Sequence, residues 1–66
     1  MDMLSIFDEA RRYIRGWDSH DSIQLTAERG LAEEDWRRLV EHYGEDADLV
    51  RTTIERLCEE KVALDA

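Results

Sequence analysis

Glycine occupies only positions 16, 30 and 44 of this 66-residue chain, and proline occupies none. These are the two residues that most strongly interrupt regular backbone, so the chain divides into four stretches with little to break a helix inside any of them. The first stretch carries Met3, Phe7, Ala10, Ile14 and Trp17 at steps of four, three, four and three, widened by Leu4, Ile6 and Tyr13. That period predicts an amphipathic helix over residues 3–15, capped by Asp2 or Ser5 and stopped by a left-handed Gly16. Asp8 and Glu9 come early and Arg11, Arg12 and Arg15 late, the order that suits the helix dipole.

The second stretch is ambiguous, because Ile23, Leu25 and Ala27 alternate as in a strand. A lone short strand has nothing to pair with, whereas Asp18, Ser19 or Asp21 can cap a helix and Gln24 stands three residues after Asp21, as in a capping box. A helix over 20–29, ended by Gly30, is the expectation. The third stretch reads most clearly. Trp36, Leu39, Val40 and Tyr43 recur at i, i+3, i+4 and i+7 and define one buried stripe. Leu31, five residues before Trp36, has the spacing of a hydrophobic staple with Ala32 at the cap, so a helix over 33–43 ends at Gly44 and is the expected hub. In the fourth stretch Asp46 caps a helix over 47–63 whose buried side is Val50, Ile54, Leu57, Cys58, Val62 and Leu64. The fold class is all-α: a compact bundle of about four short helices in a single domain, residues 1–66.

A chain this short buries only about 60% of the surface its unfolded form exposes, and a partner or second copy would add stability. Hydrophobic residues at 42% and charged residues at 39% fit neither a disordered nor a membrane-embedded chain. No apolar run reaches the ~20 residues of a membrane span. Met1 to Ser5 lacks the basic start and apolar run of a secretion signal. Cys58 is the single cysteine, which leaves no internal disulfide and no thiolate cluster. A cytoplasmic location is expected.

Charge narrows the partners. The net charge is −8, of which −2 falls in residues 1–32 and −6 in residues 33–66. Binding to DNA, RNA or anionic lipid depends on Lys and Arg neutralising phosphates, and this balance works against it. Leu25, Gly30, Leu31, Trp36 and Leu39 do have the spacing of a helix-turn-helix over about twenty residues, with Thr26 in its alanine position. The second helix of that motif enters the major groove by its N-terminal end, and here that end reads Glu33-Glu34-Asp35. Packing of two helices across a glycine turn explains the spacing without DNA.

Catalytic readings are weak. Asp18-Ser19-His20-Asp21 holds triad residue types, but sequence neighbours cannot converge as a triad does. His20 and His42 lack metal-ligand spacing; His42 with Glu45 or Asp46 is at most a loose cation site. Cys58 lies on the apolar side of its helix, as a small core residue does, and no glycine-rich phosphate loop exists. No enzyme activity, cofactor or metal is expected.

The remaining feature is the acidic surface, Glu33, Glu34, Asp35, Glu41, Glu45, Asp46 and Asp48. Arg37 stands four residues from Glu33 and from Glu41, and Arg38 four from Glu34, so i,i+4 pairing neutralises part of it. What is left can offer spaced carboxylates to a basic groove. In size, composition and this cluster the chain resembles the small acidic helical inhibitors of phages and mobile elements, anti-CRISPR proteins and other DNA mimics. That resemblance implies a non-enzymatic inhibitor whose carboxylates stand in for phosphates and occlude a basic, nucleic-acid-binding surface of a partner protein, without direct nucleic-acid or membrane binding. The alternative is a helical adaptor, antitoxin-type module or homodimer that binds through apolar surface, with Phe7, Tyr13, Trp17, Trp36 and Tyr43 as its aromatic residues.

Overall fold

The last helix, rather than the third, is the spine. The computed structural model describes residues 3–65 and places α1 at Met3–Arg11, α2 at His20–Arg29, α3 at Glu33–Tyr43 and α4 at Ala47–Asp65, with no strand among the described residues. α1, α2 and α3 each pack on α4. A 3-10 turn, Gly44–Asp46, joins α3 to α4 without a break. The expected four helices are therefore three uninterrupted helical runs, 3–11, 20–29 and 33–65, the last bent at its 3-10 turn. The described residues fill a body of 34 × 25 × 16 Å. No helix among them is long and apolar enough to cross a membrane.

The core is one cluster: Ala10, Ile14, Ile23, Leu39, Ala47, Val50, Ile54 and Cys58. Four of its eight members, and another three in α1–α3 with Ile14 beside them, show the arrangement: α4 supplies Ala47, Val50, Ile54 and Cys58, and each of the other helices inserts one side chain against them. The ambiguity over residues 23–27 resolves by helical geometry. Ile23 and Ala27, four apart, face the core, whereas Leu25 is 52% exposed.

Three expectations fail for identifiable reasons. The first helix stops at Arg11 instead of residue 15. Arg12, Tyr13 and Ile14 donate instead to Glu9, Ala10 and Arg11 in tighter three-residue turns. The Arg15 N–H then leaves the helical pattern and donates to Asp35 Oδ1 at 3.1 Å, while Ile14 drops into the core. Of the two proposed caps, Ser5 lies inside α1, and Asp2 lies outside the described residues. Second, α3 is rotated about its axis. Asp35 and Leu39 are its buried residues and Val40 is 43% exposed. Trp36 and Tyr43 still pack against the core as expected, and at 100° per residue the exchange of Val40 for Asp35 turns the centre of the inward face by about 35°. Third, Leu64 is 86% exposed. α4 is 19 residues long against nine for α1, about 28 Å against 14 Å at 1.5 Å per residue, so α1 cannot cover its last turns.

Candidate functional site

The seven acids expected to form one surface have different partners. Asp35 is 7% exposed and serves as an internal acceptor, fixing the 12–19 connector to the start of α3. Glu33 holds Arg37 at 3.0 Å, and Glu34 lies between Arg15 at 3.3 Å and Arg38 at 3.7 Å. Arg37 could reach Glu33 or Glu41 by spacing, and it takes Glu33, which agrees with the better geometry of an acid placed N-terminal to its base. Asp48 holds Arg51 at 3.0 Å, and the Arg51 guanidinium also lies 4.4 Å over the Trp36 ring. Four of the seven thus belong to the fold's own ion pairs and hydrogen bonds.

Glu41, Glu45 and Asp46 remain. All three are exposed, and no ion pair engages them among the described residues. They flank the bend between α3 and α4, where Gly44 adopts φ +61° and donates its N–H to the Val40 carbonyl. Beside them Tyr13, from the irregular segment after α1, stacks on His42 with ring centroids 4.2 Å apart. Tyr43 meets both rings edge-on, at 6.3 Å from Tyr13 and 4.7 Å from His42. Tyr13, Arg38, Glu41 and His42 line a shallow pocket of about 240 Å³. The result is an aromatic ledge with the Glu41 carboxylate in its pocket, followed along the chain by the exposed Glu45 and Asp46. The Tyr43 hydroxyl lies behind it, buried with no hydrogen-bond partner among the described residues. Burial, and then the negative charge of Glu9 and the neighbouring Tyr13, push its pKa above the usual 10.0.

Two contributors carried no local signal. Glu55, midway along α4, accepts the Leu31 N–H at 2.8 Å and so ties the α2–α3 turn to the spine. Gly30 stands in the same place for two reasons. Its φ of +85° is a glycine conformation, and a Cβ there would come within 2.7 Å of Glu55 Oε2. The other unforeseen contributor is the Tyr13–His42 stack, whose members are twenty-nine positions apart and meet only because α1 runs back along α4.

Elsewhere, Ile14, Trp17, Leu25 and Leu31 wall a cleft of about 460 Å³ between the connector and α2, with Arg15, Arg29 and Glu34 at its mouth. Trp17 meets Phe7 edge-on at 5.0 Å. Cys58 is buried, and loss of solvent drives its thiol up to about 11, Lys61 opposing and Glu55 and Glu59 adding to the shift. A thiol held protonated in this way has little thiolate available as a nucleophile at neutral pH.

No protein family, curated protein or solved structure matches the chain.

Proposed function

We propose that this protein is a non-enzymatic binding protein that occludes a basic, nucleic-acid-binding surface of a partner protein, with its contact centred on the α3–α4 bend. The observation that carries the reading is an unengaged carboxylate in an aromatic pocket: Glu41 lines the same pocket as the stacked Tyr13 and His42, and the exposed Glu45 and Asp46 follow within four residues of His42 along the chain. A partner arginine or lysine entering the pocket lies over a ring face, where a cation is attracted by the π system, and within reach of the Glu41 carboxylate. Glu45 and Asp46 then take neighbouring cations. These are the partner groups that would otherwise hold phosphates. The likeness to DNA-mimicking inhibitors accordingly rests on three acids instead of seven. The net −8 adds long-range attraction that speeds encounter.

The test uses a fluorescent arginine-rich peptide as the basic probe, with a DNA duplex as competitor for the same peptide. The protein should release the duplex from the peptide, and its affinity should fall steeply as salt rises. The triple variant Glu41→Lys, Glu45→Lys, Asp46→Lys should lower peptide affinity by about tenfold or more, equivalent to about 1.4 kcal/mol. The triple variant Glu33→Lys, Glu34→Lys, Asp48→Lys, of the same charge change but at ion-paired sites, should have a several-fold smaller effect. Equal losses at the two places would reduce the reading to bulk charge, and salt-insensitive binding would remove it. A second reading, a helical module that binds through apolar surface, is favoured by Leu4 at 71% and Leu49 at 50% exposure.

A further inference from the structure

Those exposed leucines belong to a surface separate from the acidic bend. α1 runs back along α4, with Leu4 beside the middle of α4 and Tyr13, just after α1, beside His42 and Tyr43 at the end of α3. Between the two helices lies a groove of about 240 Å³ lined by Leu4, Leu49, Thr52, Thr53, Arg56 and Leu57. Its volume is below the roughly 300–1,000 Å³ of small-molecule sites, and it suits the insertion of a side chain from another protein surface. The apolar strip continues past α1 to Leu64, 86% exposed.

The spacing of that strip is self-complementary. Leu49, Leu57 and Leu64 lie eight and seven residues apart on α4 and fall within an arc of about 80°. The strip therefore reads nearly the same in either direction over roughly 22 Å. A two-fold axis passing between Arg56 and Leu57 sets Leu49 of each copy opposite Leu64 of the other and brings the two Leu57 side chains together. The same operation places Arg56 within about 4.5 Å, along the helix axis, of Glu60 in the second copy. Both are exposed on this face, and neither has an ion pair among the described residues. An isologous contact requires one patch to complement itself in this way.

We infer that the α1–α4 face binds a second copy of this chain, forming an antiparallel two-fold dimer about Leu57 with reciprocal Arg56–Glu60 pairs. The inference does not rest on the contact proposed at the α3–α4 bend. The like net charges of the two copies oppose association, so the dimer tightens as salt screens them. Salt weakens the binding of a basic partner, so the two contacts respond to it with opposite signs.

Sedimentation equilibrium of the full chain across a concentration series, at low and high salt, tests this. The wild-type protein should reach dimer mass, with a dissociation constant that falls as salt rises. Leu49→Asp and Leu64→Asp replace exposed side chains, so helicity by circular dichroism should persist while dimer affinity drops by about tenfold or more. Arg56→Glu and Glu60→Arg should each weaken the dimer, and the double swap Arg56→Glu, Glu60→Arg should restore it. A wild-type monomer at all concentrations would overturn the inference. So would a dimer indifferent to Leu49→Asp, or charge variants whose effects fail to compensate. If a labelled basic amphipathic peptide binds a monomeric wild-type protein and loses that binding in Leu49→Asp, the face belongs to such a helix and the dimer is rejected.

Discussion

Glu33, Glu34 and Asp35 open α3; Glu41, Glu45 and Asp46 close it and turn into α4. The two groups match in number and charge, and the fold treats them in opposite ways. At the opening, every acid meets a partner of the fold, two through arginines and one through a backbone N–H. At the bend, none is ion-paired among the described residues. The opening also suits acids for a second reason, because the N-terminal end of a helix carries partial positive charge and the C-terminal end partial negative charge. Charge count therefore overstates the field available to a partner at one end of α3 and represents it well at the other.

Asp35 gives the sharpest way to break this contrast. Asp35→Ala leaves the Arg15 N–H without its acceptor in a partly buried site and frees the connector from α3; it should cost about 2 kcal/mol, read as a lowered urea midpoint at unchanged slope. Glu45→Ala should stay within about 0.5 kcal/mol of wild type, as exposed substitutions do. Next comes Glu55→Ala, which removes the acceptor of the Leu31 N–H and should cost about 1–2 kcal/mol. Glu55→Gln, which keeps an acceptor oxygen, should recover most of it. If Asp35→Ala proved as mild as Glu45→Ala, the division of the acids into structural and available groups would fail.

Much of the fold was legible because its signals are local. Gly30 and Gly44, at φ of +85° and +61°, stand at the C-terminal ends of α2 and α3, although Gly16 lies five residues beyond the end of α1, and spacing alone assigns Leu39, Ile54, Val50 and Cys58 to the core. What was not legible depends on contacts distant in sequence. Nothing near Arg15 indicates that its N–H would leave α1 for a carboxylate twenty residues away. The acceptor in that contact, Asp35, is buried while Val40 is exposed, against the apolar pattern. Among the seven acids, i,i+4 spacing identified the Glu33–Arg37 and Glu34–Arg38 pairs, whereas the burial of Asp35 removes it from the surface. Spacing could not reveal the Arg15–Glu34 contact or the Tyr13–His42 ring stack.

Tyr43, behind that ring stack, reports on the bend from the inside. Its buried hydroxyl has no partner among the described residues, so Tyr43→Phe should be neutral or stabilising by up to about 1 kcal/mol, in contrast to the loss expected for removing the partnered Asp35 carboxylate. Alkaline titration separates this from a simple packing change. The folded pKa is raised above 10.0, so the unfolded tyrosine ionises first and wild-type stability falls as pH rises through 10 and on to the folded value. Removing the phenol should flatten that part of the curve. Cys58, whose thiol shifts from 9.0 to about 11, contributes a decline of the same sign across that interval, and Cys58→Ala is the control that isolates it.

The smallest expected effect is the most direct comparison, because it turns on sign instead of size. Glu34→Gln removes the acid shared by Arg15 and Arg38 near the positive end of α3, and exposed pairs of this kind contribute about 0.3–0.5 kcal/mol each. Glu41→Gln, with the same loss of one charge, removes an acid without an ion pair from the last turn of α3, where the helix dipole disfavours it by about 0.3–1 kcal/mol. The first substitution should lower stability and the second raise it, by similar fractions of a kilocalorie, and added salt should shrink both. Thermal midpoints of the two variants at low and high salt make the measurement. Shifts of the same sign would mean that both ends of α3 respond to net charge alone. Opposite signs would identify Glu41 as a carboxylate that the fold tolerates at a cost, available for a cation from outside.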